Sequence, residues 1–132
     1  MRINQRGWVL ISILYLTLIL AIMLVADFGK LPEAQLTQIP NYDLIGHFFL
    51  YGIAAFVCHR GMNRRMMMIV NIPVPFGPFL FTLVTIAEEM LQQILPHRTF
   101  SLLDLGASLL GIILFYILGE MWFPGKTLTP KK

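Results

Sequence analysis

"WVLISILYLTLILAIMLVA", Trp8 to Ala26, is an uninterrupted apolar run of nineteen residues. At a helical rise of about 1.5 Å per residue, it is long enough to cross a hydrocarbon core of about 30 Å. Arg2 and Arg6 give it the basic start of a secretory leader. The run is longer than a leader's apolar core of about 7 to 15 residues, and it carries no small-x-small cleavage site, so it reads as a retained anchor.

The chain around this run has the composition of a membrane protein. Of its 132 residues 57% are hydrophobic and only 13% charged, against roughly a quarter charged in soluble domains. Each span uses about 20 residues plus connections, so the length predicts a single membrane domain covering residues 1–132. The net charge of +3 does not point to nucleic acid, because the ten Lys and Arg lie scattered at the ends of apolar runs. The single cysteine, Cys58, excludes an internal disulfide and a cysteine-based zinc site.

Punctuation by proline and charge sets the remaining elements. Asp27 to Tyr42 carries Pro32 and Pro40 and reads as a loop with an interfacial turn over 32–37. A second span runs from Asp43 to Arg60, with Arg60 snorkelling to the interface. Gly61 to Arg65 is a basic turn. "MMMIVNIPVPFGPFL", Met66 to Leu80, is broken by Pro73, Pro75 and Pro78, which remove amide donors and disfavour helix before them. Residues 66–71 are therefore placed at the interface as a broken prelude to the third span. The last span has Ser101 as N-cap and Asp104 in its first turn, where a carboxylate suits the helix dipole. The expected fold is an all-α membrane protein, a four-transmembrane-helix bundle with spans at about 8–26, 43–60, 76–95 and 101–123.

Orientation follows from the basic residues. Arg2, Arg6, Arg60, Arg64, Arg65, Lys126, Lys131 and Lys132 would share one side, and only Lys30 and Arg98 the other. This asymmetry predicts both termini in the cytoplasm (N-in/C-in) of a multi-pass cell-membrane protein.

With that orientation the polar residues collect at the outer ends of the helices. Asp43, His47 and Tyr51 recur at i, i+4 and i+8 and form one stripe. Glu88 or Glu89 with Gln92 or Gln93 makes a second stripe, and Arg98, Ser101 and Asp104 line the last connection. A charged side chain within hydrocarbon costs about 2.5 to 3.5 kcal/mol even on lenient scales, so such groups face one another or a wet cavity. The expected pairs are Glu89 with His47, and Arg98 with Asp43 or Asp104. His59 and His97 read as solvated loop residues. Gly106, Ala107, Ser108 and Gly111 read as a small-residue face for close helix contact.

The spacing "DLIGHFFLY" (Asp43 to Tyr51) fits Asp-x3-His-x3-Tyr, and "EMLQQILPHRTFSLLDLGASLLG" (Glu89 to Gly111) fits Glu-x2-Gln-x5-Arg-x5-Asp-x6-Gly. Together these motifs resemble the VanZ-like family of small bacterial integral membrane proteins, over roughly half the chain. The resemblance implies functional residues at Asp43, His47, Tyr51, Glu89, Gln92, Arg98, Asp104 and Gly111. It also implies a protein of the cell envelope, the family's namesake being associated with low-level resistance to the glycopeptide teicoplanin. Where that family usually has asparagine, this chain has Ser108.

Three functions are compatible with these residues. An outward-facing site could recognise an anionic lipid headgroup, a lipid-linked envelope precursor or a glycopeptide-type antibiotic through the planar donors of Arg98. His47 and Glu89 could serve as acid and base in a small intramembrane hydrolase or transferase. The polar groups could instead only pin helices in a structural or partner-binding subunit. No metal-ligand spacing of the His-Glu-x-x-His kind occurs, and the sequence implies no metal and no cofactor.

Overall fold

The computed structural model describes residues 3–125. Arg2, Lys126, Lys131 and Lys132, four of the eight basic residues counted on one side, lie outside the described residues. Helix α1 covers Gln5–Asp27 and opens on Asn4, whose side chain accepts the Gly7 N–H at 2.8 Å. A single turn, α2, covers Glu33–Leu36. Helix α3 covers Tyr42–Gly61, and strands β1 (Met66–Ile69) and β2 (Ile72–Pro75) follow it. Helix α4 covers Phe76–Gln92. Helix α5 covers Leu102–Trp122 and opens on Ser101, whose hydroxyl accepts the Asp104 N–H as a capping serine does.

Helices α1, α3 and α5 are each long and apolar enough to cross a membrane. The 17 residues of α4 reach about 25 Å, less than the hydrocarbon thickness of about 30 Å.

Helix α3 is central. It packs against α1, α4 and α5, and α4 also touches α5. The closest approach is between α3 and α5: a methyl group on Gly52 would lie 2.8 Å from the Gly111 carbonyl oxygen, and one on Gly111 would collide with the carbonyl oxygen of Phe48. Only residues without a Cβ permit this backbone contact. Gly77 repeats the device more locally, bringing the start of α4 against the backbone of His59. The buried apolar core formed here consists of Ile19, Tyr51, Ala54, Ala55, Phe81 and Ile112.

Helix α1 joins this core by a different chemistry. Gln5 donates to the carbonyl oxygens of Arg60 and Gly61 (3.2 and 2.9 Å), Ser12 to that of Val57 (2.5 Å) and Tyr15 to that of Leu50 (3.0 Å). The other face of α1 is bare, with Leu10, Leu14 and Leu18 more than half exposed.

The structure corrects the expectation of an all-α chain. Residues 66–71, read as an interfacial prelude, belong to an antiparallel hairpin over 66–75 in the register Met66↔Pro75, Met67↔Val74, Met68↔Pro73 and Ile69↔Ile72. Val70 and Asn71 both have positive φ, 47° and 63°, as a two-residue hairpin turn matching strand twist requires. Antiparallel pairs alternate between hydrogen-bonded and non-bonded positions, and the pair flanking a two-residue turn is bonded. Pro73 and Pro75 therefore fall at non-bonded positions, where their missing N–H would have pointed away from β1. The prolines that broke the helical pattern are thus compatible with a strand whose outer edge is free.

Three smaller expectations also change. Helix α4 ends at Gln92, not Leu95, because the next amides switch to i→i−3 bonds before Pro96 excludes helix at the residue preceding it. Gly106 has open space where its Cβ would stand, so of that small-residue face only Ser108 and Gly111 are buried contacts. Arg60 does not snorkel outward. It is 8% exposed, donates to the carbonyl oxygens of Gly119 and Phe123, and lies over the rings of Trp8, Phe56 and Phe123 at 5.5 to 5.6 Å. Aromatic faces and the carbonyls that end α5 receive part of the guanidinium, and its Nε is left without a hydrogen-bond partner.

Gly111→Val must push α5 away from the Phe48 carbonyl, an overpacking that costs about 1 to 3 kcal/mol. Thermal unfolding in detergent should show a clear loss of stability for this variant, and none for Gly106→Ala.

Candidate functional site

The polar groups at the Asp43 end of α3 come from four elements. Tyr51 and His47, one turn apart on α3, stack with ring centroids 5.0 Å apart and an interplanar angle of 20°. Tyr51 donates its hydroxyl to Glu88 Oε2 on α4 at 3.0 Å, and Gln92, one turn beyond, donates to Glu88 Oε1. One carboxylate thus fixes a tyrosine from a neighbouring helix and an amide from its own. All four side chains are buried, Gln92 at 1% exposure.

Glu89 faces α5. Its Oε1 accepts the backbone N–H of Ser101 at 2.8 Å. Within a single helix, a glutamate three residues past the N-cap makes this bond to the N-cap amide, as half of a capping box. Here the carboxylate comes from α4, so one bond both ties two helices and holds negative charge at a helix N-terminus.

His47 contacts α5 on both ring nitrogens. Nδ1 is 3.0 Å from the hydroxyl of Ser108, which is fully buried, and Nε2 is 3.9 Å from Asp104 Oδ2. The expected Glu89–His47 pair is not formed: Glu89 is taken by Ser101 and His47 by Ser108 and Asp104. The expected partner of Arg98 also differs. Arg98 Nε lies 3.8 Å from Asp27 Oδ1, at the end of α1, and pairs with neither Asp43 nor Asp104. Asp27 had read as the start of a loop, because nothing in the apolar run marks where its last turn closes.

Above these groups lie two adjoining clefts. One of about 190 Å³ is lined by Gln92, Arg98, Asp43, Asp104, Glu33 and Tyr42, among others. The second, of about 450 Å³, shares Tyr42, Asp43 and Asp104 with it and extends along Thr37 to Leu44. Two buried polar atoms of the smaller cleft, Gln92 Oε1 and Arg98 Nε, have no hydrogen-bond partner. The cleft offers a guanidinium donor, an amide oxygen and the carboxylates of Asp43 and Asp104. Asp43, Gln93 and His97 are exposed, as solvent-edge residues should be. Among the described residues no group of three or more His, Cys, Asp or Glu could hold a metal ion.

A second cluster, at the opposite end of α3, was not foreseen. His59, expected in a solvated loop, is inside α3 and fully buried, and Arg64 and Glu120 pack beside it. The signal available in the sequence was Glu120, a lone carboxylate near the end of a strongly apolar run, which requires a cationic partner.

No protein-family model, no curated protein and no solved structure matches this chain.

Tyr51→Phe removes one donor from the buried Glu88 carboxylate. A membrane-protein hydrogen bond contributes about 0.6 kcal/mol, and an orphaned buried acceptor adds to its loss, so detergent melts should show a loss of about 1 to 2 kcal/mol. An unchanged melt would mean that the Tyr51–Glu88 bond is not made.

Proposed function

We propose that this chain is a VanZ-like multi-pass protein of the bacterial cell membrane, a four-span bundle with both termini cytoplasmic. Its Asp43-end clefts face outward and recognise the polar head of an amphiphilic envelope molecule. Support for the membrane setting comes from the three helices able to span a bilayer and from the leucine-rich outer face of α1. The fourth span is the shorter α4, which hydrocarbon accommodates by local thinning. The orientation rests on the basic residues of the sequence.

The observation that carries the binding reading is the smaller cleft, where Gln92 Oε1 is buried without a hydrogen-bond partner and Arg98, whose Nε faces Asp27 only at 3.8 Å, stands among carboxylates. A single guanidinium among Asp27, Asp43 and Asp104 suits a ligand bearing both signs of charge better than a simple anion. Arg98 takes a phosphate or carboxylate of the ligand, and Asp43 and Asp104 take an ammonium. A lipid-linked envelope precursor or a glycopeptide antibiotic has this chemistry, and the motif resemblance points to the same compartment.

One observation favours a second reading, a small intramembrane hydrolase. Ser108, His47 and Asp104 stand in the order nucleophile, base, orienter. Against it, Ser108 is wholly buried in mid-helix, where neighbouring N–H groups are committed to the helix and unavailable to a developing oxyanion. Labelling of Ser108 by a fluorophosphonate probe, lost in Ser108→Ala, would replace the binding reading with catalysis.

Two measurements test the proposal. A reporter active only outside the cytoplasm, fused to the C-terminus, should be silent, and an active fusion would turn the clefts inward. Arg98→Lys and Asp43→Asn should each abolish an envelope phenotype while the protein still accumulates at its normal level. Phenotype falling only in step with protein level would leave these residues a structural role alone.

A further inference from the structure

At the Arg60 end of α3 the charges do not balance. His59 is fully buried, and Arg60 and Arg64 are each 8% exposed. The carboxylate that meets them is Glu120: Arg64 donates to its Oε2, and His59 Nε2 stands 3.5 Å from its Oε1. Arg60 commits one nitrogen to the carbonyl oxygens that end α5. Without a hydrogen-bond partner are Nε of Arg60, Nε and Nη1 of Arg64, both ring nitrogens of His59 and Oε1 of Glu120. A protein does not bury guanidinium donors unpaired without cost, and two guanidinium charges against one carboxylate leave an excess of positive charge in a region of low dielectric.

We infer that this end is a binding site for a phosphate group, centred on Arg64, Arg60 and His59 and distinct from the Asp43-end clefts. A tetrahedral oxyanion offers acceptors in several directions and can serve the fork of one arginine together with the donors of a second and of the histidine. The entry is at Glu120, whose side chain is 21% exposed while the three basic groups are not. A phosphate arriving there competes with Glu120 for Arg64, which fixes the sign of a test: neutralising Glu120 strengthens binding.

The phosphate is carried by a lipid or is free in solution. The hairpin favours the lipid. It starts directly after Arg65, and about its Val70–Asn71 turn it exposes apolar side chains, Val70 at 88%, Ile72 at 63% and Met68 at 40%. Exposed apolar side chains beyond a basic base suit the boundary between acyl chains and headgroups.

The full-length protein in detergent, titrated with phosphatidic acid and with diacylglycerol and followed by native mass spectrometry, decides the matter. Phosphatidic acid should bind and the phosphate-free diacylglycerol should not. Arg64→Gln should weaken phosphatidic acid about tenfold or more, and Glu120→Gln should tighten it. Competition by inorganic phosphate would identify phosphate itself as the ligand, and its failure to compete would assign the site to the lipid headgroup. Equal binding of the two lipids by the wild-type chain overturns the proposal, as does unchanged affinity in Arg64→Gln. If Arg64→Gln does not accumulate, Arg64→Lys, which keeps the charge and loses the fork, should still weaken phosphatidic acid, and the comparison of the two lipids on the wild type stands without any variant.

Discussion

The backbones of α3 and α5 touch at Gly52 and Gly111, and both polar clusters are arranged about that contact. With no side chain between them, the helices come close enough for His47 to reach Ser108 and Asp104 at one end and for His59 to meet Glu120 at the other. An extra methyl group at the contact would part both pairs. Helix α4 then closes the Asp43 end by two carboxylates, Glu88 toward Tyr51 of α3 and Glu89 toward the N-terminus of α5. Packing here comes first, and the polar chemistry follows from where packing leaves the helix ends.

The two ends differ in sign. Around the Asp43 end, Asp27, Asp43, Glu88, Glu89 and Asp104 face Arg98, and around the other, Arg60 and Arg64 face Glu120. The same helix pair therefore presents carboxylates in excess at one end and guanidinium groups in excess at the other. In the membrane orientation we propose, this places the basic end on the cytoplasmic side, where arginine-rich loops belong.

The sequence makes the long helices legible because apolar runs closed by proline or charge leave few alternatives. The expected span 43–60 and the helix Tyr42–Gly61 differ by one residue at each end, and Ser101 caps α5 as its hydroxyl and position imply. The stripe of Asp43, His47 and Tyr51 correctly marked one face of α3. Partner choice was not legible. Whether Glu89 meets a histidine or a backbone amide depends on how far α5 starts from α4, a distance set by the turn through Pro96 and not by periodicity. The hairpin was hidden for another reason: prolines at alternate positions look like helix breakers, and only the register shows that neither one costs a ladder bond. The burial of His59 was not legible because it adjoins the basic turn after α3, and no periodicity shows that aromatic rings and helix-end carbonyls receive Arg60 beside it.

The attachment of α1 divides tolerance to change unevenly between two helices. Gln5, Ser12 and Tyr15 grip carbonyl oxygens of α3, groups that every residue type carries. For these bonds alone the acceptors come with any residue type on α3, apart from Gly61, where a Cβ would meet the Ser12 hydroxyl, while each donor on α1 is singular. Homologues descended from such a chain would be expected to record these bonds on α1 alone, leaving covariation between the bonded positions weak, while the contacts of Trp8 with Phe56 and Arg60 constrain both helices.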